Sequence, residues 1–143
     1  MDTSVIVAAV HANHPSHRLA APWLDSAFDA HELFVAHPSL IESYAVLTRL
    51  PAKYRFSPSE ADTVLRETLQ DNVTIAPFTS QSSWSALSSL VEAPAAGGAA
   101  YDALIIHLLK QAGVDVITTF NVTDFTRLAR TVRIRAPGDT PTR

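Results

Sequence analysis

Three carboxylates and one amide fall at positions from which they could act together on a ligand. Glu42 lies in the first turns of one expected helix, and Asp102 lies near the start of another. Asn121 directly follows an expected strand, and Asp124 comes three residues later, at the start of the next helix. Carboxylates are the ligands that Mg²⁺ prefers, and one or two such ions can hydrolyse a phosphodiester without a catalytic His or Cys.

Short β-type segments alternate with amphipathic helices along the chain. The expected strands are 33–36, 73–76, 114–120 and 132–134. Five helices are expected: one after Pro15, one that begins at His37-Pro38, one that begins after the Ser57 cap, and two that cover 83–91 and 99–111. Alternation of this kind predicts crossover connections, and therefore an α/β fold with an open, mostly parallel sheet flanked by helices on both faces.

In an open parallel sheet, ligands bind at the edge formed by the carboxyl ends of the strands. Helix starts face the same edge, so the four residues are expected to converge there. Carboxylates a few ångströms apart repel one another and take up protons unless a cation offsets their charge. The ordinary alternative is that each acid is a helix cap or a solvated side chain, which is common for Asp and Glu at helix starts.

Composition excludes several other classes of protein. The chain has 143 residues, 47% hydrophobic and 17% charged, so we expect a single domain over 1–143 with a buried core. The absence of cysteine excludes disulfides and Cys-based metal sites, and a net charge of −3 excludes a broadly basic surface. No segment approaches the ~20 apolar residues of a membrane helix, and Asp2 is unlike a signal-peptide start. We therefore expect a cytoplasmic protein that does not bind membranes.

Four short motifs occur along the chain. They are DTSV at 2–5, AVLTRL at 45–50 after Glu42, YDALI at 101–105, and ITTFN at 117–121 leading to Asp124. In this order and spacing the motifs resemble the PIN domain, and within it most closely the VapC toxins of type II toxin–antitoxin modules. The resemblance covers nearly the whole chain.

The resemblance implies a ribonuclease site built from acidic residues. It implies the catalytic residues Asp2, Glu42, Asp102 and Asp124, and the Mg²⁺ or Mn²⁺ ligands Asp2, Glu42, Asp102, Asn121 and Asp124. Whether the neutral Asn121 or the charged Asp124 is the fourth ligand stays open, and Thr3 or Ser4 would support the site by hydrogen bonding. The implied reaction is hydrolysis of an RNA phosphodiester that leaves a 5′-phosphate and a 3′-hydroxyl.

The resemblance also implies partners. These are an RNA substrate, a cognate VapB-type antitoxin that inhibits the enzyme, and a second copy of the chain in a homodimer formed through helices of the N-terminal half. Two alternatives remain. One is a housekeeping PIN nuclease that processes RNA without an antitoxin, and the other is a non-catalytic α/β module that binds a cation. An antitoxin encoded by a small upstream gene would distinguish the toxin from the housekeeping nuclease.

The segment 5–10 has two interpretations. Its run of apolar, β-branched residues by itself predicts a strand, which would put Asp2 at the end of the sheet away from the other acids. The resemblance instead predicts a short helix there, after a truncated strand that ends at Asp2. The next residues include three histidines at intervals of three, which we expect on the surface because a proline interrupts any helix face they could share: His11, His14 and His17.

Overall fold

The structure, a computed structural model, describes residues 1–139, which form seven helices and four strands. In chain order these are α1 (Thr3–Val10), α2 (His17–Ala30), β1 (Phe34–Ala36), α3 (His37–Arg49), α4 (Pro58–Leu69), β2 (Thr74–Ala76), α5 (Ser80–Glu92), α6 (Ala99–Gln111), β3 (Val116–Thr118), α7 (Val122–Leu128) and β4 (Arg133–Arg135). Helices and strands alternate, which confirms the α/β class. The last four residues of the expected single domain 1–143 lie outside the described residues.

Local sequence signals account for several helix boundaries. Ser57 caps α4: its Oγ accepts a hydrogen bond from the Glu60 N–H at 3.2 Å, and the Glu60 carboxylate accepts one from the Ser57 N–H at 2.7 Å. This reciprocal pair satisfies two of the donors that every helix start leaves unpaired. Gly113, with φ of +80°, follows α6 and supplies the left-handed turn that ends a helix without a side-chain clash.

The four strands form two parallel pairs. β1 pairs with β2, and β3 pairs with β4. The expected parallel pairing is therefore confirmed, but the single open sheet is not, because the strands of residues 1–139 do not join into one ladder. The extended residues Met1 and Asp2 lie between the pairs. The amino group of Met1 donates to the Phe34 carbonyl at 2.6 Å, and the Asp2 N–H donates to the Thr118 carbonyl at 3.0 Å.

The segment 5–10 belongs to α1, so the helix that the resemblance predicts is confirmed and the strand interpretation is wrong. Val5 and Ile6 are fully buried, and α1 packs against α2, α3 and α4. A helix surrounded on several sides is apolar nearly all round, so its sequence lacks the polar face that marks a surface helix. Composition alone therefore could not separate this buried helix from a buried strand.

The buried apolar side chains form two clusters. One surrounds α1 and includes Ile6, Leu24 and Leu47, and the other surrounds α6 and includes Leu109 and Phe125. The clusters hold the starts of α1 and α6 in fixed positions, and these starts carry Asp2 and Asp102. Among residues 1–139, no helix has both the length and the apolarity needed to span a membrane.

Candidate functional site

The predicted acidic residues lie around the start of α1, at the carboxyl ends of β1 and β3. Asp2 precedes α1 directly, and its N–H is bonded to the last residue of β3. Thr3, the first residue of α1, donates from Oγ1 to Oε2 of Glu42 at 2.8 Å, which brings α3 to the same edge. Asn121 follows β3 and contacts Asp102 of α6. Four separated segments of the chain therefore meet there, as the topology predicts.

Asp2 is the most constrained of these carboxylates. It is only 5% exposed, and its Oδ2 accepts hydrogen bonds from Ser4 Oγ at 2.7 Å, Thr119 Oγ1 at 2.8 Å and, more weakly, the Ser4 N–H at 3.3 Å. Thr119 is fully buried, and its hydroxyl also accepts from the Asn121 N–H at 2.9 Å. The three bonds to Asp2 all end on Oδ2, so Oδ1 carries the remaining capacity of this carboxylate to bind a ligand.

Asp102 is half-buried in the first turn of α6, and its ionised form is disfavoured there. Burial and the negative charges of Asp2, Asp124 and Glu42 raise the pKa of Asp102 from 3.8 to about 6, while the guanidinium of Arg127 acts in the opposite direction. Removal of water and repulsion by like charges both favour a protonated carboxyl group. The four carboxylates therefore share one electrostatic environment whose negative charge the neighbouring side chains do not balance.

The other predicted residues are held less tightly. Asn121 donates from Nδ2 to Asp102 Oδ2 at 3.4 Å, which is long for a hydrogen bond. Asp124 lies in the first turn of α7 and pairs with Arg127 at 3.4 Å, with both side chains about half exposed. Glu42 is exposed. These side chains can adjust their positions, in contrast to Asp2.

The donor set fits a hard divalent cation by its chemistry. Carboxylate oxygens are the preferred ligands of Mg²⁺ and Mn²⁺. Burial and neighbouring negative charge raise the pKa of Asp102, and a cation would offset that negative charge. As the side chains stand in residues 1–139, no three His, Asp or Glu residues form a group that encloses an ion. The residues that could hold one are Asp2 and Asp102, with Glu42 as the adjustable third.

Two residues that shape this site were not predicted in these roles. Thr119 bonds to Asp2 across 117 positions of sequence. Thr119 is fully buried one residue after the end of β3, and because its partner lies at the other end of the chain, no local sequence signal indicates this bond. Arg127 lies three residues after Asp124 on α7, a spacing that places the two side chains on one helix face.

The surface prediction for the histidines is wrong at His11. This residue ends α1 and is 5% exposed, with Nε2 at 2.9 Å from the Tyr54 carbonyl and its ring stacked on Phe56 at a centroid distance of 5.3 Å. His14 and His17 are partly exposed. The loop after α3 folds over the end of α1, and a contact between such distant segments has no local sequence signal.

The chain is similar to known proteins over most of its length. The sequence model of the PIN domain family matches residues 1–131. Ribonuclease VapC40 of Mycobacterium tuberculosis is 32% identical over 117 residues, which are 82% of this chain and 82% of that protein. Ribonuclease VapC27 of the same organism is 31% identical over 106 residues, which are 73% of this chain and 72% of that protein. The chain belongs to the PIN domain family.

Proposed function

We propose that this chain is an endoribonuclease toxin of the VapC type, which hydrolyses RNA with Mg²⁺ or Mn²⁺ and is inhibited by a cognate VapB-type antitoxin. The observation that carries the proposal is that Asp2, Glu42 and Asp102 meet at one edge of the strands. Burial there, and then the charges of the neighbouring acids, raise the pKa of Asp102 to about 6. The two relatives named as ribonucleases support RNA as the substrate. A cluster of acids alone would repel RNA, so this function requires a cation.

The proposed ligands of the cation are Asp2, Glu42 and Asp102, with Asn121 or Asp124 as a fourth. When bound, such an ion activates a water molecule for attack on phosphorus and offsets the charge of the phosphodiester. In the hydrolysis, the water oxygen adds to phosphorus and the bond from phosphorus to the 3′-oxygen breaks. The 3′-oxygen leaves with a proton, which gives a 5′-phosphate and a 3′-hydroxyl.

The chain's own residues prepare the site for this reaction. Ser4 and Thr119 hold Oδ2 of Asp2 by short hydrogen bonds, so the direction of Oδ1 is fixed before any ligand binds. Thr3 donates one hydrogen bond to Glu42, which is exposed and therefore held less firmly than Asp2. Arg127, exposed beside the acids, offers a guanidinium that can contact a phosphate of the RNA and orient the strand.

The direct test is RNA cleavage by the purified protein. We expect cleavage with Mg²⁺ or Mn²⁺, none in excess EDTA, and products with 5′-phosphate ends. Asp102→Asn removes a charged ligand without a change in shape, and we expect its kcat/KM to fall by about 10³-fold or more. Asp25→Asn, at an exposed position on α2, is the matched control and should cleave like the wild type. Cleavage in EDTA, or wild-type activity in Asp102→Asn, would contradict the proposal.

The antitoxin part of the proposal needs its own test, because a housekeeping nuclease would have the same site. Induction of the wild type should arrest growth, and co-expression of the protein encoded by the adjacent upstream gene should restore it. Induction of Asp102→Asn should not arrest growth. Cleavage without growth arrest, or without an inhibitory neighbour, would favour the housekeeping alternative. Because RNA is the proposed substrate, we also infer that the protein acts in the cytoplasm.

A further inference from the structure

One large aromatic side chain is exposed beside the acidic site. Tyr101 lies in the first turn of α6, directly before Asp102, and it is 68% exposed. Successive residues of a helix are separated by about 1.5 Å along the axis and about 100° around it. Asp102 is directed towards Asn121 and the other acids. The ring of Tyr101 therefore leaves the helix at the same level but to one side, at the rim of the site.

The segment before Tyr101 leaves the space around the ring open. Every residue of 95–100 is alanine or glycine, so this segment contributes no side chain larger than a methyl group. A Cβ placed on Gly97 or Gly98 would have no atom of residues 1–139 within 4 Å, apart from its chain neighbours. A flat ligand can therefore approach the ring from this segment without displacing another side chain.

RNA that reaches this site needs contacts that do not depend on charge. The chain has a net charge of −3, and four acids act on one another where cleavage is proposed. Arg127, which could contact a phosphate, is itself paired with Asp124. Electrostatic attraction therefore gives a polyanion little affinity for this surface. Stacking of a base on an aromatic ring is not opposed by the acids, because both surfaces are uncharged.

We propose that Tyr101 binds an unpaired base of the RNA by stacking, next to the phosphodiester that is cleaved. The inference rests on the proposed function and narrows its substrate to RNA whose cut nucleotide lies outside a double helix. A base within a helix is covered by its neighbours on both faces, so only an unstacked base can lie on the ring. Because every base has a flat face, the contact selects unpaired structure more than sequence.

Tyr44 of α3 is the comparable side chain near another acid of the site, and its direction excludes the same role. It lies two residues after Glu42, which places it about 200° around the helix axis from that acid. Glu42 contacts Thr3 of α1, whereas Tyr44 borders a cavity between α3 and α4 together with Leu65 and Leu69. Tyr44 is directed away from the acids and is therefore the matched control for Tyr101.

The first test maps the cuts that the full chain makes with Mg²⁺ in total cellular RNA. Sequencing of the new 5′-phosphate ends locates the cuts, and chemical probing of the uncut RNA shows which nucleotides are paired. We expect the cuts in unpaired segments. For an oligonucleotide that carries one mapped cut, Tyr101→Ala should raise KM about 10- to 100-fold and leave kcat within about threefold, because the ring binds the ground state and the transition state alike.

Two variants separate stacking from a structural effect. Tyr101→Phe keeps the ring and should retain the wild-type KM within about threefold. Tyr44→Ala removes the same side chain from α3 and should also retain it. Thermal melting should show that Tyr101→Ala keeps its fold, because the side chain is mostly exposed. A purely structural role would instead lower the melting temperature and kcat.

An abasic nucleotide tests the contact itself. In the same oligonucleotide, the base on each side of the cut phosphate is removed in turn. At one of the two positions, the removal should raise the KM of the wild type about as much as Tyr101→Ala does, and should raise the KM of Tyr101→Ala no further. Losses that multiply at both positions would show that ring and base do not touch, and would overturn the inference.

Two other results would also overturn it. They are cuts that fall as often in paired segments as in unpaired ones, and a KM that Tyr101→Ala leaves unchanged, as expected if the ring contacts a protein partner instead. Each of these results requires a wild type that cleaves RNA. A wild type that cuts no RNA would contradict the proposed function itself, so the two failures are distinguishable.

Discussion

The two sides of the acidic site differ in how their carboxylates are held. On one side, Asp2 is buried and its Oδ2 accepts two short hydrogen bonds from hydroxyl groups, at 2.7 and 2.8 Å. On the other side, Asp102 is half-buried and accepts only a long hydrogen bond from the Asn121 amide, at 3.4 Å. Burial and the neighbouring acids raise its pKa to about 6. Protein donors fix the position of the first carboxylate, whereas the second lacks compensation for its charge.

This difference indicates a division of roles. Two hydroxyl donors hold Oδ2 of Asp2 in place, so the direction in which this carboxylate meets a ligand is fixed. Asp102 is near the point at which it takes up a proton, so it responds most to a cation that enters the site. One carboxylate is therefore prepared by the fold, and the other depends on the ion for its stable ionised form. Substitutions at Thr119, Asp102 and Thr3 test this difference in roles.

Among the substitutions that remove a hydroxyl donor from the site, Thr119→Val should have the largest effect on cleavage. It preserves the shape of the side chain but removes the hydroxyl that donates to Asp2 and accepts from the Asn121 N–H. We expect kcat/KM for RNA to fall about 10- to 100-fold, the usual cost of losing a group that orients a metal ligand. The free energy of unfolding should fall by about 1–3 kcal/mol, because buried polar groups lose their partners. Steady-state kinetics and urea denaturation measure the two effects.

The control is the same substitution one residue earlier. Thr118, the last residue of β3, is also buried, but successive residues of an extended chain point to opposite faces, so its side chain does not reach Asp2. Thr118→Val should retain near wild-type kcat/KM. If Thr118→Val and Thr119→Val lowered kcat/KM equally, the effect would come from β3 as a whole, and the orienting role of Thr119 would be wrong.

Much of the fold was predictable because its signals are local. Ser57 and Glu60 mark the start of α4, and the predicted helix 99–111 has the bounds of α6. Three of the strands were predicted too long: β3, for example, covers three residues of the predicted 114–120. The fourth was predicted at 132–134 and lies one residue later, at Arg133–Arg135. β-branched composition identifies a buried strand but not the residue at which its ladder ends, which depends on the neighbouring strand.

The sequence predicted the site residues that the fold topology positions, but not the contacts between residues far apart in the chain. Glu42 and Asp102 lie near helix starts, and the rule that helix starts face one sheet edge was enough to bring them together. Asp2 was identified by family resemblance alone, because the apolar segment 5–10 after it fits a strand as well as a buried helix. The bond from Thr119 to Asp2 joins opposite ends of the chain, and no local pattern encodes it.

Asp102→Asn should stabilise the metal-free protein at neutral pH. The folded-state pKa of Asp102, about 6, exceeds the ordinary value of 3.8, so the folded state binds more protons between these values. The free energy of unfolding of the wild type therefore falls as pH rises from about 4 to about 6. After a discount for solvent screening at a half-buried group, the variant should be more stable by about 1 kcal/mol at pH 7.

The measurement is urea denaturation in EDTA across this pH range. The advantage of Asp102→Asn should be present at pH 7, should be mostly lost by about pH 4, and should vanish below about pH 3, where the wild-type carboxyl group is protonated in both states. Addition of Mg²⁺ should stabilise the wild type more than the variant. A variant that is less stable than the wild type at pH 7 in EDTA would show that the charge of Asp102 is already compensated within the protein.

Thr3→Val should have the smallest effect, although it removes a hydrogen bond as short as the one in Thr119→Val. Thr3 donates to Oε2 of Glu42 at 2.8 Å, but Glu42 is exposed, so water can replace the lost donor. We expect kcat/KM to fall about threefold or less, and the free energy of unfolding to change by less than about 1 kcal/mol. The two substitutions are chemically identical. The ratio of their losses in kcat/KM therefore measures how much more firmly the fold orients Asp2 than Glu42. Equal losses of kcat/KM in both variants would mean that Glu42 is fixed as firmly as Asp2. Of the three proposed ligands, Asp102 alone would then be left without firm hydrogen bonds.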